Sequence, residues 1–437
     1  MIEKLKGMRS NKDILDTVIV GGATLFGSVF SYLLQFVLGR KLSVSDYGTF
    51  NTLLSLSSMV GVFGAVFGTA LIKVNAEIFA KKNDDKLKSL FIDSVKFSLT
   101  VGVIAFLIIF SLREFISKYL NVGDSFLITL FGVSVGLGFL SVIPNSYMQG
   151  TQEFKKYSLF HIFSLFLRFL IPTIFVFMGF GLRGVYSAAP ISSITAFLFG
   201  LFILGLNLKN LKKVDVSDSF KKIFSFGSTV ILVNFSMMAL NNIDLIMVKR
   251  FFSAADAGYY AGTMTLGKIL LFGAGAVSVV MFPKITALHA GGKSFMKSLK
   301  RLLMLLILVL VVGVTCYQIF PQIITNLFFG KAFENSVKYL PLFSVFVALY
   351  VLINFLVMFF LAIDKKKVGF LLLPGIVIQY IALNFFHDSL WEVINVNIVV
   401  SVLILIILSV YFYFSVSNNL KKKDFEVAGE IIDVLPE

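Results

Sequence analysis

Two stretches decide the architecture: Gly39-Arg-Lys-Leu-Ser-Val-Ser-Asp-Tyr-Gly-Thr-Phe50 and Lys249-Arg-Phe-Phe-Ser-Ala-Ala-Asp-Ala-Gly-Tyr-Tyr260. At an offset of 210 residues, Arg40, Ser43, Asp46 and Gly48 fall on Arg250, Ser253, Asp256 and Gly258. The shared pattern is R-x-x-S-x-x-D-x-G, and in both places it ends one long apolar run and opens the next. A short pattern placed this way, once early and once at mid-chain, marks an internal duplication. In each copy the Asp can cap the helix that follows and the Gly can permit a tight turn. Arg40 and Arg250 stand where they could also attract anions.

Working outward from the two motifs, the chain is apolar almost throughout. Of its 437 residues 57% are hydrophobic and 14% charged, against roughly 25% charged in a soluble domain. Such a composition cannot cover a water-exposed surface, so most of the surface must face lipid. A spanning helix needs about 20 apolar residues. Twelve runs qualify, near 15–38, 49–72, 90–112, 125–147, 157–180, 185–208, 223–248, 258–282, 300–320, 339–361, 368–386 and 392–415. The weakest division is Gly181-Leu-Arg-Gly184, the only break between the fifth and sixth runs. The first run follows the basic residues Lys4, Lys6, Arg9 and Lys12 and is too long for a signal-peptide core, so it is expected to be retained.

The formal charge of +15 would suit nucleic acid if it were gathered on one surface, but it is dispersed in short clusters between apolar runs. Alternate connections hold 27 and 9 of the 39 Lys and Arg residues, with Lys96, Arg168 and Lys268 inside the runs. The positive-inside rule then places both termini in the cytoplasm. No connection has room for a folded soluble domain, and no P-loop occurs. Cys316 is the sole cysteine, and His161, His289 and His387 lie far apart. Neither a disulfide nor a metal-ligand spacing results, and no cofactor is expected.

The expected fold is therefore an all-α membrane protein. It has about twelve transmembrane helices in two six-helix lobes, 1–208 and 223–416, joined by a Lys-rich linker at 209–222 and followed by a tail at 417–437. Six spans per repeat is an even number, so the lobes share one orientation, a parallel repeat around a central cavity.

Polar residues inside the spans recur on helical faces. Thr24, Ser28, Ser31 and Gln35 align in the first span, and Asn51, Ser55, Ser58 and Thr69 in the second. Asn234 and Asn241 stand one heptad apart in the seventh, with Asp244 nearby, and Ala261, Thr265, Lys268 and Gly275 align in the eighth. Tyr157, His161, Ser164 and Arg168 share an arc of the fifth span, continued by Pro172. Two readings stay open: a hydrated cavity lined by Gln35, Ser58, Asn241 and Lys268, or close helix packing by small residues. Arg168 and Lys268 lie near mid-membrane, where a cation needs a partner. An anionic head group is one candidate. The other is local pairing, of Arg168 with carbonyls and of Lys268 with Asp244. Asp244 is the candidate ion-coupling residue.

The turn Leu38-Gly-Arg-Lys-Leu-Ser-Val-Ser-Asp-Tyr-Gly, its counterpart from Asn242 to Tyr260, and Leu327-Phe-Phe-Gly-Lys-Ala-Phe333 resemble segments of the Wzx-type polysaccharide flippases. These belong to the multidrug/oligosaccharidyl-lipid/polysaccharide (MOP) superfamily. The resemblance implies a cavity lined by helices one, two, seven and eight. It implies a saccharide linked through phosphate or pyrophosphate to a polyprenyl lipid, moved across the cytoplasmic membrane by alternating access and driven by an H⁺ or Na⁺ gradient. It further implies a non-enzymatic monomer working beside polysaccharide-assembly proteins, with no nucleic acid partner. A multidrug exporter on the same fold is the alternative, and a membrane glycosyltransferase or polymerase the more distant one. Cationic drugs call for carboxylates in the cavity and pyrophosphate calls for cations, so the basic Arg168 and Lys268 favour the flippase.

Overall fold

A computed structural model describes residues 2–206 and 212–417. The side chains of Lys4, Lys6, Arg9 and Lys12, part of the 209–222 linker and the tail beyond Ser417 lie outside the described residues.

Among the described residues, twelve long helical elements follow the apolar runs, with short helices in some of the connections and no strand. We number them α1 (Ile2–Lys41), α2 (Val44–Ala80), α3 (Asp84–Ser111), α4 (Ser125–Gly150), α5 (Phe154–Phe177) and α6 (Gly181–Leu204). The second half holds α7 (Ser217–Leu240 with Ile243–Phe251), α8 (Ala254–Ala290), α9 (Met296–Ile319), α10 (Leu340–Ala362), α11 (Val368–Phe385) and α12 (Leu390–Phe412). Among the described residues, eleven helices are long and apolar enough to cross a membrane by themselves. The seventh span of the sequence reading is instead two helices, Ile231–Leu240 and Ile243–Phe251, bent by 42°. α4 carries a 3₁₀ segment at Phe139–Ser141. Side chains such as Phe202 (82% exposed), Val279 and Phe385 lie outward, as lipid allows and water does not. Cys316 joins this exposed set rather than packing inside.

The duplication is written into the helix boundaries. α2 and α8 each have 37 residues and begin and end 210 residues apart. The packing repeats too: α3 lies on α4, α4 on α6 and α5 on α6, while α9 lies on α10, α10 on α12 and α11 on α12. Gly179 (φ 86°) and Gly181 (φ 54°) make the short turn between α5 and α6, a conformation that a residue with a Cβ adopts at a cost.

Two compact units result. The first comprises Met1–Met238, Leu245–Thr265 and Gln322–Ser336; the second comprises Ala239–Asp244, Leu266–Pro321 and Val337–Glu437. The first unit thus takes in the start of α8 and the segment ahead of α10, both from the second half of the chain.

The motif residues hold local structure in a way that corrects their first reading. Ser43, not Asp46, is the N-cap of α2: the Asp46 N–H donates to Ser43 Oγ at 3.1 Å, and Ser43 Oγ donates back to Asp46 Oδ2 at 2.9 Å. Ser253 and Asp256 repeat this at 3.1 and 2.6 Å. The pair is a reciprocal cap that satisfies an otherwise orphan helix donor. Gly48 and Gly258 make no turn. They sit inside α2 and α8, and a Cβ on Gly48 would stand 2.6 Å from the Gly258 nitrogen.

Candidate functional site

The first unit contains a half-open cavity of about 460 Å³ lined by α1, α2, α4, α5 and α6. Its walls are mostly apolar, with Ser57, Ser134, Ser141, Ser192, Ser193 and Tyr186 supplying hydroxyls and Arg168 the only ionised group. Arg168 stands near the middle of α5, where its exposed side chain lines this space. Its Nη2 donates to Ser141 Oγ at 3.3 Å. That hydroxyl belongs to the 3₁₀ break in α4, where it also donates to the Gly138 carbonyl at 3.0 Å. Guanidinium has five N–H donors, and no acidic residue is among those lining the cavity. Pro172, one turn further along α5, lines the same space. His161 stacks on Tyr157 at 5.6 Å and lies beside Gly27 of α1.

Gln35 and Ser58 are also in the first unit. Gln35 Nε2 donates to Asn51 Oδ1 at 3.2 Å, and its Oε1 lies 2.7 Å from Tyr47 Oη. Tyr47 is fully buried and stands 3.0 Å from Thr265 Oγ1. Ser58 Oγ donates to the Leu54 carbonyl, an internal bond on its own helix.

The second unit holds a separate polar cluster. Asp244 is fully buried at the start of Ile243–Phe251, beside the helix break that carries Asn241. Asn397 Nδ2 of α12 donates to Asp244 Oδ2 at 3.0 Å. Gln379 Nε2 of α11 donates to Asn397 Oδ1 at 2.9 Å and to the Leu240 carbonyl at 3.2 Å. Both amides are buried. The half-buried Lys268 of α8 lies within electrostatic reach of Asp244. A break in a helix, a buried carboxylate and amides from two further helices make a place where a cation or proton could be held. Among the described residues no group of three or more His, Cys, Asp or Glu could hold a metal ion.

A family model described as "Polysaccharide biosynthesis protein" matches residues 37–338, more than two thirds of the chain. The chain belongs to the polysaccharide biosynthesis protein family. Its fold is similar to an inward-facing multidrug resistance MATE family transporter of the MOP superfamily, with TM-score 0.73 and 14% identity over 89% of this chain and 93% of that one. It is similar also to the lipid II flippase MurJ in an inward closed conformation, with TM-score 0.69 and 16% identity over 92% and 87%. An outward-facing MATE family transporter matches with TM-score 0.60 and 15% identity over 93% and 96%. No curated protein matches the chain.

In this family member, reasoning from stripes passed over Gln379, Asn397, Tyr47 and Ser141. Gln379 and Asn397 did leave a signal. Each is an amide side chain deep in an otherwise apolar run, and a residue of that kind calls for a partner.

Proposed function

We propose that the protein is a flippase that moves a polyprenyl-(pyro)phosphate-linked oligosaccharide across the cytoplasmic membrane by alternating access, driven by an H⁺ or Na⁺ gradient. The observation that carries this reading is Arg168: a lone guanidinium in a cavity with no acidic lining residue. An exporter of cationic drugs would need the opposite charge there. Arg168 binds the phosphate end of the substrate. His161, on the same face of α5, and the polar residues Gln35, Ser58 and Asn241 serve the passage of the glycan. Lys268, within electrostatic reach of Asp244, adds positive charge for the head group. Asp244, with Asn397 and Gln379, couples transport to the ion.

The test is reconstitution into vesicles holding a lipid-linked oligosaccharide in one leaflet. Translocation is expected for that lipid, accelerated by an H⁺ or Na⁺ gradient, and not for a cationic dye. Dye export without lipid translocation would replace the reading with the drug exporter.

The threefold bias of Lys and Arg between alternate connections places both termini in the cytoplasm. Ser389, the N-cap of α12, then lies on the outer face. In a Cys316→Ser background, a cysteine at Ser389 is expected to react with an impermeant maleimide from outside the cell. Reaction only from the cytoplasmic side would refute the topology.

A further inference from the structure

We infer that Arg40 and Arg250 are a matched pair of latches that hold the protein shut at the end where the two motifs lie. Arg40 ends α1, and its Nη2 and Nε donate to the carbonyls of Leu327 and Phe328 at 2.7 and 3.2 Å. Those carbonyls belong to the short helix Pro321–Phe329 between α9 and α10. Arg250 ends the bent α7, and its Nη1 donates to Tyr119 Oη at 3.0 Å with the guanidinium 4.4 Å from that ring's centre. Asn121 Nδ2 donates to the Arg250 carbonyl at 2.7 Å. Tyr119 ends the short helix Arg113–Tyr119 between α3 and α4.

An offset of 210 carries Arg40 onto Arg250 and residues 117–121 onto 327–331. Each arginine therefore crosses to the corresponding segment of the other half. Helix capping needs only the Ser and Asp of the motif; a conserved offset for the Arg as well follows if it has this crossing role. Both arginines and the residues they bond lie in the first compact unit.

Between the two clasps the chain is closed by backbone. A Cβ on Gly258 would run into the Val44 carbonyl, and one on Gly48 would stand 2.6 Å from the Gly258 nitrogen. Beneath them Tyr47 packs edge-on against Phe329 and Phe333, both at 5.3 Å. Its hydroxyl faces Gln35 Oε1 at 2.7 Å and Thr265 Oγ1 at 3.0 Å, and its one proton serves one of them at a time. No solute passes such a plug. A protein that gives access to each face in turn has to part these contacts once per cycle. The arginines are suited to that: Arg40 is exposed and Arg250 half-exposed, so each can exchange its carbonyl or phenol partner for water.

The inference rests on alternating access but not on which substrate is carried, and its test needs no substrate. The full-length protein with Cys316→Ser is placed in vesicles, and two single-cysteine reporters are labelled with an impermeant maleimide. Ala261→Cys reports on the plug from the motif side, where Ala261 is fully buried. Ser57→Cys reports on the Arg168 cavity, which alternating access is expected to close as the motif side opens. In the Arg40→Ala/Arg250→Ala double variant, labelling at 261 is expected to rise about tenfold or more, the factor for one charged hydrogen bond or better, and labelling at 57 is expected to fall. Each single variant should give a smaller rise. Unchanged labelling at 261, or a rise at both reporters as in a generally loosened protein, overturns the latch. If the double variant does not fold, Gly258→Leu takes its place. Its side chain collides with the Val44 carbonyl and must part α2 from α8, so labelling at 261 should again rise while that at 57 falls. Continued protection at 261 in a folded Gly258→Leu protein overturns the proposal equally.

Discussion

Arg168→Gln is expected to cut transport of the lipid-linked substrate by roughly 10- to 100-fold, the factor that corresponds to losing a charged hydrogen bond of about 1.5–3 kcal/mol. Arg168→Lys should retain an intermediate rate, because an ammonium offers the charge without the two-pronged grip on phosphate. The same residue should be costly to the resting protein. Arg168 donates to the Ser141 hydroxyl and meets no acidic residue in the cavity lining, and a cation at the centre of a spanning helix costs about 2.5–3.5 kcal/mol on insertion scales. Hydration of the cavity offsets part of that cost. Arg168→Met is therefore expected to raise the melting temperature of the substrate-free protein by roughly 2–4 °C while abolishing transport. Opposite signs for stability and activity distinguish a binding residue from a structural one. A lower melting temperature together with wild-type transport would assign Arg168 to the architecture of α4 and α5.

Asp244→Asn is expected to have the second largest effect, on both stability and coupling. The carboxylate is fully buried and accepts from Asn397, and Lys268 lies within its electrostatic reach. Breaking a fully buried ionic pair costs about 3–5 kcal/mol; with Lys268 only half-buried, about 2–4 kcal/mol is expected. The neutral amide removes the negative charge that acts on Lys268, so adding Lys268→Met should recover most of the melting temperature. It should not recover the response of transport to an H⁺ or Na⁺ gradient. Thermal unfolding of the two single variants and the double variant in detergent measures the first effect, and vesicle transport with and without each gradient measures the second. A response that survives in Asp244→Asn would leave Asp244 with a structural role alone.

Most of the fold was legible because its causes are local. Whether a 20-residue window crosses a membrane depends on its own side chains and the cost of burying them. That is why the apolar runs correspond to α1 through α12, with the boundaries of α2 and α8 repeating at 210 residues. The caps at Ser43–Asp46 and Ser253–Asp256 span three residues each, within reach of one turn. The seventh run is the instructive exception. Its hydropathy reads as one span, but Asn241 and Asn242 sit where the helix breaks and bends. A hydropathy average is blind to that, since it sums transfer costs without asking where the backbone hydrogen bonds go.

The amino-acid sequence by itself determined a twelvefold membrane-crossing helical chain, its duplication, and the candidate residues Arg168, Lys268 and Asp244. Only the tertiary structure decided what those residues meet. It gave Asp244 to Asn397, 153 residues away, and Gln379 to Asn397 across two helices. It set Arg168 in a 460 Å³ cavity beside Ser141, and joined Arg40 to the carbonyls of Leu327 and Phe328. Helical periodicity fixes which residues share a face of one helix. Which face meets which depends on the rotation and axial register of each helix against its neighbours, and these are set by packing summed over the whole unit.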